Sequence, residues 1–257
     1  MSEPVKVNVV SYGGVKPGQV VAGNTADGGK AVVFDARTST KAQYLFYYRG
    51  NSLAEWDIDM PMLENGQNMF YYCSKLVSFE SDMRSLEDGG NMFGYCTSLR
   101  EFSANLGNMT KGGGMFVSCT SMESWNIDMP KLDDGLAMFA SCRTLNSFGA
   151  DLHSLKTGNR MFENCPLFTS FNAGELGLQS LSSGTDMFIG CKLDPDSAKH
   201  VLETIPTYTT GTHALHLGKN TNFKSDTVVA ALLGPGTPIP IPAGTYQVRG
   251  WTVTVTN

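Results

Sequence analysis

The sequence predicts a repeat solenoid, in which coils of about 23 residues stack so that one short strand from each lines a single parallel β-sheet. Three observations carry that expectation. The six cysteines, Cys73, Cys96, Cys119, Cys142, Cys165 and Cys191, are separated by 23, 23, 23, 23 and 26 residues, whereas disulfide frameworks and zinc sites use clustered, uneven spacings. Each cysteine follows a Met-Phe pair with two residues between: Met69-Phe70, Met92-Phe93, Met115-Phe116, Met138-Phe139, Met161-Phe162 and Met187-Phe188. Three residues after the cysteine stands an apolar residue (Leu76, Leu99, Met122, Leu145, Phe168), and three later an aromatic one (Phe79, Phe102, Trp125, Phe148, Phe171).

A unit this short cannot bury so many large side chains alone, so they must face the same residues of neighbouring units. Within the unit, Leu99 to Asn105 is the best strand candidate. With Leu99, Phe102 and Ala104 turned inward, the residues between them form the outer face. Gly89-Gly90, Gly112-Gly113-Gly114, Gly135 and Gly158 come just before Met-Phe, where a tight turn predicts positive φ. A weaker copy precedes the six, with Leu45-Phe46 for Met-Phe, Arg49-Gly50 in place of Cys, and Leu53 and Trp56 keeping the pattern.

The unit resembles the BspA-like leucine-rich repeats of bacterial surface and phage-associated proteins, with their A-F-x-x-C-x-x-L-x-x-I phrase and 23-residue period. Met stands here for Ala, an aromatic for Ile, and Asp or Asn follows the strand where Pro is common in that family. The resemblance covers about residues 44–191. It implies a right-handed leucine-rich-repeat stack and a general binding role, in a surface protein or in a virion or injection-apparatus component.

Three regions follow. Residues 1–43 read as a β-rich N-terminal cap or an attachment segment, with strands at Val5 to Val10 and Ala31 to Phe34 about the turn Asp27-Gly28-Gly29. Residues 44–191 are the solenoid. Residues 192–257 read as an α/β C-terminal cap, since a stack must cover its terminal apolar faces. Asp194-Pro195 starts a helix whose Ala198, Val201, Leu202 and Ile205 share one face. A strand at His213 to Leu217, a short helix after Ser225 and a strand at Trp251 to Val255 follow. The Pro-rich loop 235–242 should run extended, either as an exposed loop or as a tongue that contacts a partner.

Composition excludes several function classes. Only 17% of residues are charged and the net charge is −5, which disfavours nucleic-acid binding. No run reaches the roughly 18 apolar residues of a membrane span. The start Met1-Ser2-Glu3-Pro4 shows no secretory leader, which predicts cytoplasmic synthesis and leaves the destination open between staying where it is made and a virion or leaderless surface location. Gly112 to Gly114 lacks the Lys-Ser/Thr sequel of a phosphate loop. One column of thiols cannot converge on a metal, so the six cysteines read as a buried structural ladder.

Candidate chemistry is sparse. His213 and His216 fall on opposite faces of their strand, and His153 and His200 have no partner visible in the sequence. No metal or cofactor site is predicted, nor a catalytic one. A pocket uniting His153, Asp151 and Lys156 would reopen a hydrolase reading. The column Asp59, Asp82, Asn105, Asp128 and Asp151 caps backbone N–H groups or holds calcium, and its uniformity offers no pair of carboxyls in different environments for acid and base work. The outer sheet face comprises Glu55, Asp57, Ser78, Glu80, Glu101, Ser103, Ser124, Asn126, Ser147, Gly149, Ser170 and Asn172, acidic at one end and neutral at the other. Its reading is recognition of a protein or cell-surface glycan, set against a merely solvated face. The alternative is a structural spacer that packs end to end or forms homo-oligomers.

Overall fold

A computed structural model describes residues 19–22, 32–48, 53–219 and 222–256. The repeats stack. Each contributes a short strand: β3 (Glu55–Trp56), β4 (Ser78–Ser81), β5 (Glu101–Ala104), β6 (Ser124–Trp125), β7 (Ser147–Gly149) and β8 (Ser170–Asn172). Their pairings are parallel and shifted by whole repeats, as in Ser78 with Glu101 and Ser147 with Ser170. A second ladder of parallel bridges runs Lys41–Asn65–Asp88–Lys111–Asp134–Thr157–Ser183. A third joins each Phe N–H to the Met carbonyl of the next coil, from Phe46 to Met69 through Phe162 to Met187, at 2.8–2.9 Å.

The third ladder explains how Met and Phe, adjacent in sequence, both reach 0% exposure in all six pairs. The residue before each Met and the residue before each Cys adopt left-handed backbone, as at Asn68 (φ 55°) and Tyr72 (φ 62°), or Ala137 (φ 51°) and Ser141 (φ 62°). Their N–H groups donate to the following coil, Asn68 to Gly90 O at 3.0 Å and Tyr72 to Gly94 O at 2.8 Å. A non-glycine residue in that region costs about 1–2 kcal/mol, so neighbouring coils must hold it there.

This corrects the expectation for the glycines. Of those before Met-Phe, only Gly114 has positive φ, and Gly89, Gly112, Gly135 and Gly158 do not. They serve close approach instead: a Cβ on Gly89 would lie 3.0 Å from Met115 Sδ, and one on Gly112 3.1 Å from Met138 Sδ. The thioether of the next coil occupies the space that a side chain would fill.

The interior is a set of columns. Phe46, Phe70, Phe93, Phe116, Phe139, Phe162 and Phe188 stack with centroids 5.3–5.6 Å apart and planes within 11° of parallel. The strand aromatics form a second column that meets the first edge-on, as Phe79 meets Phe93 at 4.6 Å. All six thiols are free and fully buried. Each donates to the carbonyl of a Phe in the preceding coil, from Cys73 to Phe46 O at 3.5 Å to Cys191 to Phe162 O at 3.0 Å. Burial pushes Cys73 and Cys165 up to about 12 and raises the other four well above the ordinary thiol range.

The single sheet expected from the sequence is interrupted. β3–β4–β5 and β6–β7–β8 are separate three-stranded sheets, with no strand pairing between β5 and β6. Each begins with a tryptophan coil in which the strand is only two residues long. The indole N–H donates to a backbone carbonyl two residues on, Trp56 to Ile58 O and Trp125 to Ile127 O, both at 2.9 Å. The two shortest of the six strands are thus the two that carry an indole.

At the C-terminal end α1 (Pro195–Thr204) starts at the expected Asp194 cap, whose carboxylate accepts from Ser197 N, and buries Ala198, Val201 and Leu202. β9 (His213–Lys219), α2 (Thr227–Leu233), β10 (Gly244–Val248) and β11 (Trp251–Thr256) follow. β11 lies between β9, parallel, and β10, antiparallel. β9 extends the turn ladder, Leu215 bridging Gly184. The loop 235–242 does not simply run extended: Thr237 N closes a turn on Gly234 O and Ile241 is 1% exposed, anchored by its N–H on Lys224 O. One apolar side chain finding the core outweighs the extended preference of the prolines.

Towards the N-terminus β1 (Gln19–Ala22) pairs antiparallel with β2 (Val32–Asp35), which coincides with the expected Ala31–Phe34 strand. The strand at Val5–Val10, the turn at Asp27–Gly29 and the Arg49-Gly50 substitution lie outside the described residues. Stacking hydrogen bonds begin at Thr40, whose carbonyl accepts from Glu64 N and Asn65 N.

Candidate recognition surface

Alternation along the strands turns Ser78 and Glu80 outward while Phe79 and Ser81 are buried. Register then aligns the outward residues in two rows, one through Glu55, Ser78 and Glu101, the other containing Glu80 and Ser103. In the second sheet Ser124, Ser147 and Ser170 align, as do Gly149 and Asn172. Asp57 and Asn126 are exposed just beyond the two-residue strands of the tryptophan coils. The sheet face thus brings the sequence-derived residues together, acidic over β3–β5 and neutral over β6–β8.

Over β3 to β6, across the place where β5 and β6 part, the face forms a groove of about 470 Å³. Its rim carries Glu55, Asp57, Glu80 and Glu101 against one guanidinium, Arg100. In its floor Phe102 and Ile127 are only partly buried, although the other strand aromatics are covered. The Phe102 ring lies between Phe79 at 5.2 Å and Trp125 at 5.4 Å, so it is the ring edge that faces the groove.

The carboxylate column has a backbone role that depends on proline. Asp82, Asn105 and Asp151 accept from the N–H two residues on, at Arg84, Gly107 and His153. In the tryptophan coils that position is Pro61 or Pro130, which has no N–H. Asp59 and Asp128 reach instead to the next coil, accepting from Asp82 N and Asp151 N at 2.9 Å. No cluster able to hold a metal occurs among the described residues.

The trio that would favour hydrolysis does not assemble. His153 Nδ1 sits 2.9 Å from Asp151, but Lys156 Nζ pairs with Asp133 at 2.9 Å, and the cleft lined by Asp151 includes neither His153 nor Lys156. His200 Nε2 accepts from Ala173 N, and burial lowers its pKa. His213 stacks on Tyr208 at 3.6 Å, while His216 is buried with Nδ1 3.5 Å from Asp186.

Sequence reasoning missed a tyrosine ridge. Tyr47 stacks on Tyr71, and Tyr48, Tyr72 and Tyr95 stack successively at 4.5 Å, with Tyr44 and Tyr48 more than half exposed. All but Tyr44 occupy the two positions between Met-Phe, or its first-coil equivalent Leu45-Phe46, and the Cys slot, filled farther along by Val117-Ser118 and Ala140-Ser141. The signal was the Tyr-Tyr pair in successive units. It is hidden when attention rests on the invariant positions.

The sequence profile described as BspA type leucine rich repeat region matches in six copies, over residues 30–122 and 66–194. Among solved structures, a leucine-rich repeat protein from Bacteroides ovatus aligns with 81% of this chain and 54% of its own, at 19% identity and a TM-score of 0.43. The chain therefore spans about half the length of that protein. No curated protein matches it. Among the described residues no helix is long and apolar enough to cross a membrane.

Proposed function

Because this chain belongs to the BspA type leucine-rich-repeat family, we propose that it is a non-enzymatic recognition module whose protein partner docks on the outer face of β3–β8. Residues 44–191 present that face, residues 192–257 close the far end of the stack, and residues 1–43 cover or attach the near end. One observation carries the reading: beneath β4 to β8 each coil repeats the same buried Met, Phe and Cys, while the outward residues change from Glu and Asp to Ser and Asn. A rigid scaffold with a varied polar surface suits binding, because the cost of ordering the surface is already met. The groove concentrates relief, charge and apolar contact on the same face.

Affinity capture of cross-linked partners tests this with three variants of the chain. Ser103→Trp and Ser147→Trp should each remove a partner that the wild type captures, while Ser182→Trp, on the turn column, should retain it. Retention by the face variants, or light scattering that shows an obligate oligomer assembled without any partner, would overturn the recognition reading in favour of a spacer.

A further inference from the structure

The groove over β3 to β6 combines two chemistries that few side chains satisfy together. Its floor offers apolar contact through the edge of Phe102 and through Ile127. Its rim places four carboxylates against a single guanidinium, and Glu80 and Glu101 form no ion pair among the described residues. A neutral apolar segment would leave Glu80 and Glu101 partly desolvated without a counter-charge, and an acidic segment would be repelled. Lys and Arg carry an aliphatic stem that packs on apolar surface and a cationic head that stays at its polar margin. A long cationic side chain laid across the seam meets both demands.

Geometry sets the shape of the occupant. Outward residues two apart on one strand are about 6.6 Å apart and adjacent coils about 4.8 Å apart, so the carboxylates form a shallow grid rather than a pocket. Both faces of the Phe102 ring are taken by Phe79 and Trp125. Stacking of a sugar ring or a base on that aromatic is therefore blocked. The coils at the seam stay stacked, Phe102 lying 5.4 Å from Trp125 and Phe93 5.5 Å from Phe116, so an occupant lies over the face rather than between the coils.

Resting on the sheet-face reading above, we infer that this groove seats an extended Lys- or Arg-bearing segment of the partner protein. Rim charges of this kind act mainly on encounter rate and specificity, so the interaction weakens as salt rises.

The test uses the full chain and three fluorescein-labelled pentapeptides that alternate serine with arginine, with glutamate or with asparagine, followed by anisotropy at low ionic strength. The arginine peptide should bind and the other two should not. Glu80→Gln combined with Glu101→Gln should weaken binding about fivefold. Glu175→Gln combined with Glu203→Gln removes the same charge away from the groove and should leave binding unchanged. Equal losses in the two double variants would reduce the effect to the overall negative charge and overturn the inference, as would absence of binding to the arginine peptide. A photo-cross-linking version of the peptide separates this inference from its premise. Cross-links around Glu80 and Glu101 support the inference. Those confined to β7 and β8 overturn the groove but keep the sheet face, and those off the sheet overturn both.

Discussion

The sheets β3–β5 and β6–β8 follow one plan inside and two plans outside. Each opens with a tryptophan coil, Trp56-Asp57-Ile58-Asp59-Met60-Pro61 in one and Trp125-Asn126-Ile127-Asp128-Met129-Pro130 in the other, followed by phenylalanine coils. From Met69 onward both bury the same Met, Phe and Cys, and only the first coil has Leu45 for Met and no Cys. Outside, the first sheet and its flanking turns carry Glu55, Asp57, Glu80, Glu101 and the tyrosine ridge, where the second carries Ser124, Asn126, Ser147, Ser170 and Ala140-Ser141. Packing constrains the interior because the coils share one close-packed core. The exterior is free of that constraint, so chemical individuality collects in the first block and at the seam.

The largest effect should test the interior equivalence. Phe93→Ala and Phe162→Ala each remove a fully buried ring from the same column, and each should cost about 3–5 kcal/mol in urea unfolding. A large gap between the two would show that the blocks are not packed alike.

The thiols come next. Their pKa is raised by burial, so folded thiols stay protonated where unfolded ones ionise. Stability from this source is complete below the unfolded value of about 9 and is lost as pH rises towards about 12, because the unfolded chain then binds fewer protons. Each thiol contributes up to about 1.4 kcal/mol per pH unit over that window. Urea midpoints should therefore fall steeply above pH 9, and Ellman's reagent at neutral pH should find no reactive thiol until the chain unfolds. Labelling of Cys73 and Cys96, whose coils carry β4 and β5, well before Cys119, Cys142 and Cys165, whose coils carry β6, β7 and β8, would reveal that the blocks open separately.

Smaller still is Trp125→Phe, which removes the indole bond to Ile127 O and should cost about 1–2 kcal/mol. Its informative readout is hydrogen exchange: amides at 101–104 and 124–126 should become better protected as the strands pair across the seam. Unchanged exchange would show that tryptophan is not the cause of the break. Smallest of all, Ser170→Gln on the outer face should alter stability by no more than about 0.5 kcal/mol by thermal denaturation. A larger change would mean that the neutral face is packed against something.

The interior was legible from spacing alone, since a side chain that recurs every 23 residues has to meet its own copies. The Asp194 cap and the α1 face were legible too, because they rest on local chemistry. The seam was not. Trp125 and Phe102 occupy the same slot in the pattern, and nothing in that pattern marks one junction of successive coils as unpaired. The glycine column was read as a matter of φ although its cause is a sulfur atom one coil away, a contact that no local pattern contains. β10 escaped because its Gly-Thr-Tyr-Gln-Val follows the prolines and becomes a strand only through pairing with β11. On the candidate face, alternation identified which residues point out, but not that the face would split.

The methionine-on-glycine contact gives the stack an arrow. Gly66 receives Met92, Gly89 receives Met115, Gly158 receives Met187, and at the end Gly184 receives Leu215 from β9 in place of a thioether. Every joint is therefore a socket filled from downstream, and the final socket is stoppered by a different part. Such a ruler can gain or lose length only in whole teeth set the same way round, so an inserted unit of 23 residues should be absorbed where a graft of half that length would leave one socket empty.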